Sequence, residues 1–550
     1  MTGALAHPRD EAGNVASRMS AMARLQPDRD AVIVPDGAGW RRLTFAGLEQ
    51  ESDRLAWGLE AIGVGRGVRT VVMVKPSLEF FSLMFALFKA GAVPVLIDPG
   101  IGKRALLRCL DEVEPEAFVG IPAAHVARLL FPGPFQHVRA LVTVGRRLGW
   151  GGHDLASLRE AGARGGPYPV AAPDPDDPAA ILFTSGSTGI PKGAVYTHAI
   201  FDAQVRSIRD LYGFQPGEVD VATFPPFALF DPALGATAVV PRMDARRPAS
   251  ADPTEIVRAI AEHGATSLFA SPALLDKLSR HAEREGLRFP GLRRVLSAGA
   301  PVRPDILSRM QTTLEEGVEI HTPYGATESL PVASVGSREA LEAAEDTARG
   351  AGTCVGRAAP GMEVRILRIV DEAIAEWSDE LVAPPGEVGE IAVAGPVVTP
   401  AYYARPEQTR LAKIREGDRV VHRMGDLGYF DDRGRLWMCG RKSQRVRAAG
   451  GTLFTEKVEQ IYNRHPSVRR SALVGVPHGS SPARAVLVVE PEGKVDAKAL
   501  ARELLAMPSP FPIETILVHR GRFPVDSRHN AKIERERLAR WAERKLGVAH

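Results

Sequence analysis

Cysteine is nearly missing from the 550 residues. There are three, Cys109, Cys354 and Cys439, and they are scattered, odd in number and form no Cys-x-x-Cys pair. That gives no zinc site and fits a reducing cytosol. No sign of charge dominates either. A net charge of +3 is too small to argue for nucleic acid or an acidic membrane as partner. Long hydrophobic runs are lacking. The most apolar stretch, Phe80–Pro99, is broken by Lys89, Gly91 and Pro94. It is too short to span a bilayer and reads as a buried helix followed by a strand, Val93–Ile97. The N-terminus holds Arg9, Asp10 and Glu11 and no apolar core, so it is not read as a signal peptide. No Gly-x-Gly-x-x-Gly follows an early strand, which excludes a nicotinamide-dependent dehydrogenase. No repeat or low-complexity tract is present. What remains is ordinary: 45% hydrophobic and 25% charged residues, in a chain long enough for more than one domain.

Strand-like and helix-like segments alternate through the first 180 residues. Thr70–Val74 is β-branched and reads as a strand. Phe80–Ala90 has helical length, Val93–Ile97 is strand-like, Leu106–Leu110 is helix-like, and Ala117–Gly120 could start another strand. This alternation argues for parallel α/β layers. Tyr168–Asp177, rich in Pro and Asp, reads as a connector. The pattern repeats with strands at Ala265–Ala270, Arg293–Ser297 and Glu319–Thr322 and an amphipathic helix at Pro272–Arg284. Loops after residues 183, 297 and 322 would converge at the C-terminal ends of such strands. After Gly389 the segments Glu390–Ala394, Gly428–Phe430 and Leu436–Cys439 suggest a small β-rich lobe. Ser443–His550 reads as a separate α+β unit, with Ile533–Leu546 as a surface helix bearing Leu538 and Trp541 on one side.

The chemistry centres on Ile181–Gly193, Ile-Leu-Phe-Thr-Ser-Gly-Ser-Thr-Gly-Ile-Pro-Lys-Gly. An apolar strand enters it. Thr184, Ser185, Ser187 and Thr188 supply hydroxyls, Gly186 and Gly189 let the backbone approach a ligand, and Lys192 is a point charge. The set suits a polyphosphate better than an ordinary polar turn. It is not a Walker A loop, because Pro191 precedes Lys192 and Gly193 follows it.

This stretch resembles, nearly letter for letter, the phosphate loop of the adenylate-forming superfamily, which activates carboxylates as acyl-AMP. Four further segments resemble that superfamily, in the same order along the chain. Ser297-Ala298-Gly299-Ala300-Pro301 matches the segment lying against adenine. Tyr324-Gly325-Ala326-Thr327-Glu328 matches the motif in which Thr327 would touch phosphate and Glu328 bind Mg²⁺, a hard cation suited to one carboxylate plus phosphates. Met424–Tyr429 matches the ribose-binding strand, with Asp426 accepting from both ribose hydroxyls, and Arg441 follows fifteen residues later. Pro524–Lys532 matches the C-terminal motif whose lysine, here Lys532, stabilises the charge forming between carboxylate and α-phosphate. Such an oriented ammonium is worth roughly 3 kcal/mol or more.

The resemblance implies an α/β fold. It consists of a large N-terminal domain of layered α/β subdomains with a small β-rich lobe (1–440), and a smaller, mobile α+β C-terminal domain (441–550) carrying the catalytic lysine. It implies ATP and Mg²⁺ as cofactors. Several positions depart from the superfamily's pattern. Ala531 stands where Gly is usual, Ser443 where the hinge commonly has Asp or Lys, and Pro400-Ala401 where Gly tends to precede Tyr. Phe224–Asp231 lacks the histidine that acyl-CoA-forming members often carry. Its aromatics, Phe227 and Phe230 among them, suit equally the wall of an acyl pocket and an ordinary core.

With no carrier domain after residue 550, a free-standing enzyme is expected. Phe224–Asp244, Thr322–Pro331 and Arg528–Ile533 resemble the olefin-biosynthesis β-lactone synthetases. That resemblance implies a 2-alkyl-3-hydroxy fatty acid as substrate, ring closure by its own hydroxyl, and a ketoreductase and a β-lactone decarboxylase as pathway partners. It implies a cytoplasmic location, no nucleic-acid partner and no membrane integration. The alternatives are a medium- or long-chain acyl-CoA synthetase and a nucleotide-binding scaffold without catalysis.

Overall fold

The computed structural model describes residues 13–184, 191–244, 247, 250–478, 481–525 and 533–547. Ser185, Gly186, Ser187, Thr188, Gly189 and Lys532 lie outside the described residues, as does the side chain of Thr184.

One seven-stranded sheet is parallel except at its last pair. Its order is His153–Asp154, Ala140–Thr143, Ala117–Gly120, Arg69–Met73, Val93–Ile97, Pro178–Thr184, Lys192–Thr197. The inner strands are short β-branched runs buried on both faces, as a sheet covered by helices requires. The helix Leu78–Lys89 is apolar almost all round, so it is buried rather than amphipathic. Ser77 caps it by accepting from Phe80 N at 3.3 Å. Its last residue, Lys89, is fully buried and is neutralised by Asp53 at 2.6 Å and Glu49 at 2.8 Å. This helix, Val15–Leu25, Phe45–Ala61 and His198–Tyr212 supply much of the largest apolar core. No helix among the described residues is long and apolar enough to cross a membrane.

The second sheet has 14 strands and bears on two expectations, correcting the first. The first concerns Glu319–Thr322. The strand runs on to Ala326 and folds back as a hairpin with Ser329–Gly336, with Tyr324 opposite Ala333. Pro323 and Gly325 made this segment look like a loop, and cross-strand pairing overrides that local preference. The second concerns the β-rich lobe, whose strands form as expected and whose sheet is continuous with the main one. Glu363–Leu367, Gly389–Ala394, Arg419–Phe430 and Leu436–Arg441 continue, through Thr353–Ala358 and the hairpin, into the parallel strands Arg294–Leu296, Ser267–Phe269, Val219–Ala222 and Thr237–Val239. The early strand Asp30–Asp36 joins the far end of this sheet beside Thr237–Val239.

Beyond Arg441 the antiparallel pair Val468–His478 and Ser481–Pro491, with Thr515–Val518 parallel to the latter, makes a separate three-stranded sheet. The last helix starts at Arg535 rather than Ile533 and is less superficial than its charge suggests. Leu538 and Ala542 are buried on this sheet, and the Trp541 ring lies edge-on to His519 at 4.9 Å.

Asp220, on Val219–Ala222, is buried, and burial pushes its carboxyl up from 3.8 to about 6. Burial likewise raises Asp231, and Asp220 adds to that rise. A carboxyl whose folded pKa lies above its unfolded value stabilises fully below the unfolded value, and that contribution is lost as pH rises through the folded one. The advantage of Asp220→Asn over the native protein is thus expected to grow by about 2 kcal/mol from pH 4 to pH 7. Guanidinium unfolding at the two pH values reads it, and a constant difference would contradict it.

Candidate functional site

Strand ends and one hairpin turn assemble the site. Thr184, last in Pro178–Thr184, stands in register with Lys192, first in Lys192–Thr197. Between them in sequence lies the hydroxyl-rich segment. Thr327 and Glu328 form the two-residue turn of the next hairpin, closed by the pair Ala326–Ser329. Gly325 makes that closure possible, since a Cβ there would stand 2.6 Å from the Ser329 carbonyl oxygen. Tyr196, on the Lys192 strand, donates its hydroxyl to the Thr327 carbonyl at 2.6 Å and so ties the two sheets together at this point.

Around Glu328 the charges converge. The Tyr402 hydroxyl donates to Glu328 Oε1 at 2.6 Å. Among the described residues, Glu328 Oε2 has no hydrogen-bond partner. A hard carboxylate oxygen without such a partner among the described residues fits a divalent cation shared with phosphate. Lys192 Nζ lies 4.9 Å from the centre of the Tyr402 ring. Burial lowers the Lys192 pKa, and the Glu328 carboxylate opposes that shift. Burial, then the adjoining Glu328 carboxylate, raises the Tyr402 phenol, so it stays a donor.

Asp426 and Arg441 sit directly across a strand pair, which their spacing alone does not reveal. Asp426 is 3% exposed. Its Oδ2 accepts from the Tyr324 hydroxyl at 2.8 Å, and its Oδ1 lies 3.0 Å from Arg441 Nε. The Asp426 charge, above all, raises Arg441, with Tyr324, Glu328 and Tyr402 adding to it. Burial, then Asp426, holds the Tyr324 proton in place. The structure therefore brings Lys192, Tyr324, Glu328, Asp426 and Arg441 to one place. Two opposed carboxylates and two cations there match the needs of a nucleotide with its metal.

The segment Ala298–Pro301 leaves the strand Arg294–Leu296 beside Tyr324's own strand, where Ser297 N donates to His321 O at 2.9 Å. It is open, with Gly299 in the left-handed region at φ 98°. Phe227 and Phe230 are half-buried on the rim of the largest core. Phe227 stacks on Phe269 at 4.6 Å, and Phe230 faces Phe201 at 6.1 Å. The aromatic group thus stands at the C-terminal ends of two strands, next to the Ala298 loop. Its packing on the core is the use that the structure shows.

Three residues of this site were missed from sequence: Tyr196, Thr399 and Tyr402. Each acts through a tertiary contact, and only the Pro400-Ala401 departure pointed at the neighbourhood. Thr399 donates its N–H and hydroxyl to the Glu328 carbonyl at 2.9 and 3.0 Å. Behind it Lys413 is buried. Burial pushes its ammonium down to about 7, against the pull of Glu328.

Comparison with known proteins places this geometry. The model of the AMP-binding enzyme family matches residues 19–403. The olefin beta-lactone synthetase of Stenotrophomonas maltophilia (strain K279a) is 52% identical over 549 residues, covering 97% of this chain and 98% of that protein. The olefin beta-lactone synthetase of Xanthomonas campestris pv. campestris is 51% identical over 553 residues, covering 96% and 97%. Among solved structures, the amide bond synthetase McbA from Marinactinospora thermotolerans shares the fold, with a TM-score of 0.78 at 24% identity over 96% of this chain and 99% of that one. The chain belongs to the AMP-binding enzyme family.

Proposed function

We infer that the chain is an olefin β-lactone synthetase, an AMP-forming ligase that adenylates a 2-alkyl-3-hydroxy fatty acid and cyclises it. The observation that carries this reading is the likeness, over nearly its whole length, to two olefin beta-lactone synthetases. In the first step a carboxylate oxygen attacks the α-phosphorus of ATP and pyrophosphate leaves. In the second, the substrate's own hydroxyl attacks the acyl carbon, its proton passes to the departing phosphate or to water, the acyl–phosphate bond breaks, and AMP leaves as the four-membered ring closes. Nucleophile and electrophile belong to one bound molecule, and that proximity contributes roughly 7 kcal/mol or more when the geometry is good.

The cluster, together with the likeness of its motifs to the family's, supports the following roles. Asp426 takes the ribose hydroxyls, with its carboxylate held by Tyr324 and Arg441. The Ala298–Pro301 loop lies against adenine. Lys192 and the Thr184–Gly189 hydroxyls and amides take phosphate oxygens. Glu328 holds Mg²⁺ through its open oxygen, and Thr327 meets phosphate. When bound, Mg²⁺ neutralises charge as pyrophosphate leaves. Phe227 and Phe230 line the alkyl chain. Lys532 stabilises the pentavalent charge from a unit that begins after Gly440, so residues 1–440 and 441–550 work as two domains. A ketoreductase supplies the hydroxy acid and a decarboxylase consumes the lactone, with all three in the cytoplasm.

The test is stoichiometry. With Mg²⁺, ATP and the hydroxy acid, AMP and pyrophosphate are expected in equal amounts over many turnovers without coenzyme A. AMP that accumulates only once coenzyme A is added would overturn the cyclisation step.

A further inference from the structure

Lys413 opens the strand Lys413–Glu416, opposite His422, in a setting where an apolar residue would be the ordinary choice. Its neighbours Ile414 and Val421 are fully buried, and Lys413 itself is 8% exposed. Burying an ammonium is costly unless its protons are satisfied. Here Nζ donates to two oxygens of one residue, the Thr399 carbonyl at 2.5 Å and the Thr399 hydroxyl at 3.3 Å. The hydroxyl and N–H of Thr399 in turn donate to the Glu328 carbonyl. Among the described residues, Glu328 is the carboxylate whose charge acts on Lys413. The adjoining bridge between Ser329 and Val398 fixes the same segment against the hairpin. The lysine therefore stands two hydrogen bonds behind the Thr327–Glu328 turn. A chain of hydrogen bonds of this kind strengthens along its length.

We propose that Lys413 is a positioning residue for the metal-bearing turn, acting through Thr399 to fix Glu328 where a divalent cation and the ATP phosphates meet. This rests on the adenylation reading above. Lys413 touches neither substrate nor metal. It sets the backbone from which Glu328 reaches them. An apolar residue would pack there at least as well, so the lysine is explained by the site rather than by the core.

The experiment compares native protein, Lys413→Met, Lys413→Arg and Thr399→Val. Mn²⁺ binding with α,β-methylene-ATP, which cannot be cleaved to AMP, is read by the electron spin resonance of free Mn²⁺. AMP binding without metal is read by calorimetry. Lys413→Met and Thr399→Val are expected to weaken the metal–nucleotide complex by about tenfold, the loss of one hydrogen bond to a charged network. AMP affinity should stay within about twofold, because Asp426, Tyr324 and Arg441 are untouched. Lys413→Arg is expected to recover part of the loss, as it keeps the charge and the donors. Native-like metal–nucleotide binding in both variants would overturn the proposal. So would an equal loss of AMP and metal–nucleotide affinity, which marks a merely structural role. Should Lys413→Met not fold, Thr399→Val decides alone. Failure of the adenylation reading shows separately, as native protein that binds no α,β-methylene-ATP at all.

Discussion

Replacement of Lys532 by alanine is expected to slow acyl-adenylate formation by about a hundredfold or more, the loss of one oriented charge at a developing anion. The fold should be untouched, because the elements that flank the segment are anchored without it. Val525 and Ile533 pair as an antiparallel bridge, and Glu534 N donates to Pro524 O at 2.9 Å. Arg535 Nη2 reaches both oxygens of the buried Glu459 at 2.8 and 2.6 Å, locking the last helix to Thr455–Asn463. Acid-dependent exchange of labelled pyrophosphate into ATP measures the step, and circular dichroism checks the fold. An unchanged exchange rate would remove Lys532 from the chemistry.

Glu390→Ala is expected to cost stability rather than chemistry, by about 3–5 kcal/mol. Glu390 and Arg423 are each 2% exposed at the side chain and pair at 2.6 Å, with Lys442 Nζ on the same carboxylate oxygen at 2.9 Å. Removing the carboxylate leaves a guanidinium buried among carbonyls of Val370, Glu372 and Leu411, and leaves Lys442 Nζ with the Val370 carbonyl but no counter-charge there. Deleting one partner of a buried pair costs far more than deleting an exposed one, because the remaining charge keeps its desolvation penalty. Arg419, whose pairs are half exposed, is the control: its alanine variant should lose no more than about 1 kcal/mol. Chemical denaturation midpoints compare the two. Equal losses would contradict the burial argument.

Much of this fold was written locally. Val93–Ile97 and Ala117–Gly120 form the strands read from their own β-branched and apolar runs, because neighbouring glycines and charges bound them sharply. Tyr324–Ala326 misled, since Pro323 and Gly325 are loop-like until a partner strand pairs with them. The joining of the β-rich lobe to the main sheet was not legible, because it depends on Thr353–Ala358 bridging strands far apart in sequence. The candidate site divides in the same way. Lys192, Thr327, Glu328, Asp426 and Arg441 lie in compact motifs whose residue types state their chemistry. Tyr196, Thr399, Tyr402 and Lys413 carry no such signal, for each is an ordinary residue made special by what it touches across the fold. Phe227 and Phe230 were ambiguous in sequence for a physical reason: a half-buried aromatic packs on the core with one edge and leaves the other uncovered.

The central claim, cyclisation of an activated hydroxy acid, is tested most directly by its product. Purified protein, Mg²⁺, ATP and a 2-alkyl-3-hydroxy fatty acid are incubated with and without coenzyme A, and the mixture is read by NMR without heating. A β-lactone formed with AMP, at the same rate in both reactions, is the predicted result. A coenzyme A thioester in place of the lactone would contradict it.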